Sequence, residues 1–348
     1  MPRVIGIDPG TVSVDVCGLD DGALSLDRSI PTAAALADPA AFVALLESTG
    51  KVDLIAGPSG YGLPLVPAAQ ATAADLRLAF LAAPKETGGI GGLLELAAAL
   101  GRSGLPVVYT PGVIHLDSVP SHRKLNRVDM GTADKVAAAA LGIADQAGRL
   151  GCPPEDTSFV LLELGGAFSA ALAVRDGRIV DGLGGTSGPI GWRSPGALDG
   201  EVAYLAGEVT KTMLFHGGAA TAAEEDPAGR AGALEAFVEG AIKAVRTLLV
   251  SVPDPREILL SGRALAEPGV RERVAAGLEG VAPVRALHGF ARVAKAAAQG
   301  AAILADGLAG GRWRTLVDAM RLRAAHGTAL DHLVVISPSA ARRRLGID

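Results

Sequence analysis

The chain is poor in the features that mark several large protein classes. It has two cysteines, Cys17 and Cys152, too far apart for a disulfide framework or a metal-spaced cluster, which leads us to expect a reducing, cytoplasmic setting. Lys and Arg are outnumbered by Asp and Glu, for a net charge of −5, and no basic patch is interleaved with aromatics; a nucleic-acid partner is not expected. Apolar runs such as 136–144 stop short of membrane-spanning length, and the N-terminus passes into a strand with no secretory signal pattern, so neither a membrane nor a secreted role is expected. Aromatics supply 3% of residues against 49% hydrophobic overall, so the core must be made of Ala, Val and Leu. Forty-six glycines and many alanines instead favour helices packed closely on sheets, and 348 residues leave room for two domains.

The most informative local pattern is Val4-Ile5-Gly6-Ile7-Asp8-Pro9-Gly10-Thr11 followed by a strand-like run over 12–19. A β-branched strand fixes the backbone, and Gly10 allows a turn where a Cβ would clash. Turn amides and the Thr11 hydroxyl can face phosphate oxygens, while Asp8 is placed to hold Mg2+ through water. The alternative is an ordinary Asp-Pro-Gly hairpin turn.

Strand-like and Ala-rich helical runs then alternate, predicting a mixed α/β architecture. Strands are expected at 52–57, followed by a loop containing Ser59 and Tyr61, and at 105–109; a helix is expected from Thr132 to Gly151. The opening pattern then recurs. Phe159 to Leu162 lead into Glu163-Leu164-Gly165-Gly166-Ala167, a strand over 168–174 and a hairpin at Asp176-Gly177, which suggests duplicated halves facing one cleft. Later come a strand and glycine turn at 257–263, a helix at 270–278, and an Ala-rich helix at 291–304 whose small face includes Gly300, suited to close packing at a domain interface. The polar segment 222–231 reads as a surface loop, and 340–345 as a short basic helix.

In this order the pieces resemble the acetate and sugar kinase, Hsp70 and actin superfamily. There the acidic glycine turns are the two phosphate motifs, the 258–263 element is the adenosine motif and the 291–304 helix is a connecting motif. The resemblance implies an α/β fold of duplicated ribonuclease-H-like (actin-like ATPase) domains around a central nucleotide cleft. The division expected is 1–150, carrying the first phosphate motif, and 151–348, carrying the second phosphate and adenosine motifs. It implies ATP and Mg2+ as cofactors, with Gly10, Thr11, Gly165, Gly166, Gly262 and Arg263 at the nucleotide and Asp8 and Glu163 near the metal. The central portion, Ser121-His122-Arg123-Lys124-Leu125-Asn126 through Glu163 to Ala167 and on to 191–201, is similar to butyrate kinase. The chain thus resembles a family described as predicted butyrate kinases. Acetate and butyrate kinases carry His-Leu-Gly before the second turn, where Glu163 stands here.

Phosphoryl transfer needs positioning and charge neutralisation more than covalent help. The densest polar cluster, 123–135, contains Arg123, Asp129, Asp134 and Lys135. An arginine here could grip a carboxylate with two prongs, and the 184–189 loop with Arg193 resembles the family's substrate-side loop. A carboxylate acceptor is already ionised at neutral pH, whereas a hydroxyl needs a base, Asp129 or Asp134. The function expected is an ATP-dependent phosphotransferase forming an acyl phosphate from a small carboxylate, with a homodimer implied by the resemblance. Its alternatives are a kinase of a hydroxyl-bearing small molecule and an ATP-driven regulatory switch.

Overall fold

The structure, a computed structural model, describes residues 2–84, 89–225 and 227–347. The first sheet comprises β1 (Arg3–Pro9), β2 (Ser13–Asp20), β3 (Ala23–Pro31), β4 (Leu54–Gly57), β5 (Val66–Pro67) and β6 (Val107–Tyr109), in the order β3-β2-β1-β4-β6-β5. In the second sheet β7 (Phe159–Leu164), β8 (Ser169–Arg175), β9 (Arg178–Leu183), β10 (Glu257–Ser261) and β11 (Val284–Ala286) run β11-β10-β7-β8-β9. Each sheet is an antiparallel three-strand meander extended by parallel strands on its first member, β4 and β6 in one, β10 and β11 in the other. The duplication suggested by two glycine turns is therefore a duplication of topology. This is the mixed α/β, actin-like arrangement.

Alternation along the strands decides which groups meet. In β1, Ile5 and Ile7 pack outward with Phe42, Leu46 and Leu96, while Val4 faces inward, together with Gly6 and Asp8 at the same parity. In β7, Val160 and Leu162 face outward toward Phe237 and Val245, so Phe159, Leu161 and Glu163 face inward. Between the two inner faces lie two helices, a connecting helix, Ala133–Leu150, and a return helix, Ala296–Leu308. The result is five layers, with outer helices on each sheet and these two at the centre.

The central layer is almost wholly small: Ala137 to Ala140 of one helix share a core with Ala298, Ala301, Ala302 and Ala305 of the other. A Cβ on Gly300 would lie 1.8 Å from the Ala137 carbonyl oxygen, and one on Gly6 would lie 2.1 Å from the Ala302 nitrogen. Scarcity of aromatics is thus the condition for this layer, in which backbones nearly touch.

The connecting helix occupies its expected span, with Thr132 at the N-cap and Gly151 closing it in the left-handed conformation. The return helix starts at Ala296 rather than 291 because Asp27 accepts hydrogen bonds from the amides of Arg292, Val293 and Ala294, holding that stretch out of helical register. The segment 222–231 is not a loop among its described residues. Residues 222–225 end a helix, Ala219–Glu225, and another, Arg230–Leu248, opens almost at once. Among the described residues no helix is long and apolar enough to cross a membrane.

His115 is 1% exposed and its Nδ1 has no hydrogen-bond partner; burial holds it down at about 4, from 6.5. As pH falls below 6.5 the unfolded chain therefore takes up this proton before the folded one. Stability is full above pH 6.5 and is lost between 6.5 and 4, by about 3 kcal/mol at ~1.4 kcal/mol per pH unit. Urea unfolding at pH 7 and pH 4.5 should show this loss, reduced in His115→Gln; equal losses in both proteins would mean that other groups carry it.

Candidate active site

Between the sheets the chain leaves a cavity of about 760 Å³, lined by both glycine turns, the first turn of the connecting helix, the turn after β10 and the start of the return helix. The two β-turns are closed by the same hydrogen bond. Gly10 N donates to Ser13 O at 3.0 Å and Gly165 N donates to Phe168 O at 2.9 Å, so Asp8 matches Glu163 and Thr11 matches Gly166. Both glycine amides are used in closing their turns, and what the glycines contribute is close backbone approach.

Asp8 is paired across the strands with Asp15, a like-charge juxtaposition that calls for a cation. Lys295, at the N-cap of the return helix, supplies it, with Nζ 3.5 Å from both carboxylates and 3.1 Å from Ser13 O. Opposite, Lys135 forms ion pairs with Asp134 and Glu163, and these partners raise its pKa against the effect of burial. Burial pushes the Asp8 carboxyl up to about 7, with Asp134 and Glu163 adding to the rise and Lys295 and Lys135 opposing it. Asp134 shows the reverse. Its burial is outweighed by Lys135 and by a hydrogen bond from Thr132, and its pKa is lowered.

Asp129 is buried, and burial raises its pKa even though Gly131 N, Thr186 N and Thr186 Oγ1 all donate to it. It lies on the cavity wall with Tyr61, whose hydroxyl is kept protonated by burial and the Asp129 charge. Phe80, Leu93, Phe168, Leu214 and Phe215 are among the apolar residues of the lining, Phe168 and Phe215 meeting edge-on at 4.9 Å.

At the far end, Gly262 has φ +108°, and a Cβ there would lie 2.2 Å from Leu164 O, so only glycine fits the turn that sets Arg263 beside Gly166.

Of the residues singled out in the sequence, the cavity brings together Asp8, Gly10, Thr11, Asp129, Asp134, Glu163, Gly165, Gly166, Gly262 and Arg263. Arg123 and Arg193 are not in its lining. The Arg123 guanidinium donates to Val180 O at 2.7 Å and lies 3.7 Å from Asp181, and Arg193 is exposed, with its amide on Ala167 O. His122 is exposed and His115 is buried away from the cavity. Lys295 and Asp15 were not singled out. Lys295 is the sole charge within Val293-Ala294-Lys295-Ala296-Ala297-Ala298, a signal that has meaning only once the helix is known to return to β1.

A sequence profile of the family described as protein of unknown function, DUF1464, matches residues 6–335. The chain belongs to that family. No curated protein matches it in sequence. Among solved structures, this DUF1464 protein is similar to a propionate kinase from Francisella tularensis, with TM-score 0.57 at 14% identity, covering 86% of this chain and 99% of that one. It is also similar to acetate kinase from Entamoeba histolytica, with TM-score 0.56 at 10% identity over 80% and 86% of the two chains. The Porphyromonas gingivalis acetate kinase follows, with TM-score 0.52 at 14% identity over 81% and 88%. The fold is that of these acetate and propionate kinases.

Proposed function

We propose that this DUF1464 protein is an ATP-dependent phosphotransferase acting on a small carboxylate and forming an acyl phosphate. The observation that carries the phosphotransferase reading is the pair of matching glycine turns facing one cavity, each preceded by a carboxylate and each served by a lysine. We place the triphosphate between Gly10-Thr11 and Gly165-Gly166, with adenosine toward Gly262 and Arg263. The two halves, 1–150 and 151–348, are taken as the domains that close on it, and a cytoplasmic homodimer is the expected form.

Four carboxylates, Asp8, Asp15, Asp134 and Glu163, face two ammonium groups, a surplus of negative charge that Mg2+ would balance. Among the described residues no three His, Cys, Asp or Glu side chains gather to ligate a metal directly, so the ion would be held by Asp8 and Glu163 through water and by phosphate oxygens. When bound, Mg2+ neutralises charge on the phosphates. Lys135 keeps Asp134 and Glu163 oriented, and the glycine turns keep the backbone within reach of phosphate. In the transfer, a carboxylate oxygen forms a bond to the γ-phosphorus. The bond to the β,γ-bridging oxygen breaks, and its electron pair leaves with ADP.

Two features bear on the acceptor. The apolar lining around Phe168 and Phe215 suits a short aliphatic acid better than a sugar, whose hydroxyls need hydrogen-bonding partners. Favouring a hydroxyl instead, Asp129 is a buried carboxylate of raised pKa on the cavity wall, suited to be a general base, and neither Arg123 nor Arg193 is there to clamp an acid. Incubation with ATP, Mg2+, hydroxylamine and acetate, propionate or butyrate is expected to yield the hydroxamate. ADP release with hydroxy acids or sugars and no hydroxamate would instead establish the hydroxyl acceptor. Nucleotide binding with no turnover on either panel would make the protein a switch.

A further inference from the structure

Two lysines face the cavity, and they are held in opposite ways. Lys135 is held tightly, with its ammonium clamped between Asp134 and Glu163 and its side chain 14% exposed. Lys295 is 37% exposed, and its nearest oxygen is the Ser13 carbonyl at 3.1 Å, with Asp8 and Asp15 at the longer distance of 3.5 Å. The Lys295 ammonium lies directly on the first glycine turn; a Cβ on Gly10 would be 2.5 Å from its Nζ. Its charge thus lies at the cavity surface, where an anionic oxygen can complete its coordination.

The backbone behind this lysine is fixed to an unusual degree for an inter-sheet connection. Six consecutive amides, Phe290 to Lys295, each donate to a side chain. Gln299 Oε1 takes the first two at 2.7 and 3.0 Å, Asp27 takes the next three, and Asp15 Oδ2 takes that of Lys295 at 2.9 Å. Three side chains from the return helix, β3 and β2 therefore set where Lys295 begins, and the central helix layer sets where it points. Such preorganisation is what a charge-recognition site requires.

We propose that Lys295 binds the terminal phosphate of the nucleotide, discriminating triphosphate from diphosphate, and that Asp15 and Asp27 are its positioning residues. The proposal rests on the assignment of this cavity to ATP. With adenosine beside Gly262 at the second turn, the phosphate chain runs toward the first turn, and its last member arrives at Lys295. The charge-assisted contact forms only when a γ-phosphate is present.

Calorimetric binding of ADP and of the β,γ-imido analogue of ATP, each with Mg2+, tests this on the full chain. Lys295→Ala is expected to weaken the triphosphate analogue about 30-fold and ADP by less than about 3-fold, as for loss of one hydrogen bond to a charged group. Lys295→Arg should restore part of the difference, and Asp27→Asn, which touches no ligand, should show a smaller loss of the same selectivity. Unfolding temperatures within a few degrees of wild type would show that Lys295→Ala folds. Equal weakening of both nucleotides, or of neither, overturns the role of Lys295 while leaving the nucleotide site standing. Failure of the wild-type protein to bind either nucleotide overturns the ATP assignment, and this proposal with it.

Discussion

Asp8→Asn is expected to remove the Mg2+-dependent part of ATP binding and to lower phosphoryl turnover by about 10³-fold, the scale seen when one preorganised charge is taken from a transition state. The substitution keeps side-chain volume and removes a buried carboxylate held at about 7, so the fold should tolerate it. It also leaves Lys295 with Asp15 and Ser13 O as neighbours, so the first turn keeps its cation. The measurement is ATP affinity with Mg2+ and with EDTA in both proteins. In wild type the two values should differ strongly; in Asp8→Asn they should converge. Unchanged metal dependence would show that the ion is held elsewhere, with Glu163 the next residue to test.

The second large effect concerns Gly300, which contacts no ligand. Valine there would place a Cβ, and two methyl groups beyond it, where the Ala137 carbonyl now lies 1.8 Å from the Cβ position. Neither partner can rotate away, because the obstacle is backbone in the middle of a helix. The helices must separate, and the inner faces of both sheets lose packing together. We expect a loss of about 3 kcal/mol or more, at the upper end for overpacked cores. Denaturant titration of Gly300→Val and Gly300→Ala should show both destabilised, valine more so. Because the clash is with a main-chain oxygen, Ala137→Gly should not rescue either one; a rescue would mean that the contact is made through side chains.

Much of this organisation is local in the sequence. The turns at Asp8 and Glu163 were legible because a strand, an acid and a glycine lie within a few residues, and strict alternation puts both acids on the inner face. The two central helices were legible from their alanine content and from Gly300. What was not legible depends on distant partners. The start of the return helix is set by Asp27, far back in the chain, which draws 292–294 out of the helix. Lys295 acquires meaning only beside Asp8 and Asp15 on β1 and β2. The error at 222–231 had a different origin. Pro227 and Gly229 read as loop signals, yet they occupy the one-turn link between two helices whose Ala-rich flanks continue on each side. Arg123 lies outside the cavity lining, with its guanidinium on Asp181 and a backbone carbonyl, a placement that depends on β9 and could not be read from its own neighbourhood.

The return helix also bears on the order in which the molecule is made. β1 is synthesised long before the return helix, and the surface that its Gly6 keeps open is covered by Ala298, Ala301 and Ala302, so the first sheet stays half-bare until the ribosome has passed residue 308. The second sheet has its outer helices and all its strands by residue 286 and has no comparable wait. During translation the N-terminal half is therefore the later of the two to reach its final packing. Its long-range closure against β1 is the kind of contact that slows folding and leaves apolar surface open to chaperones in the meantime.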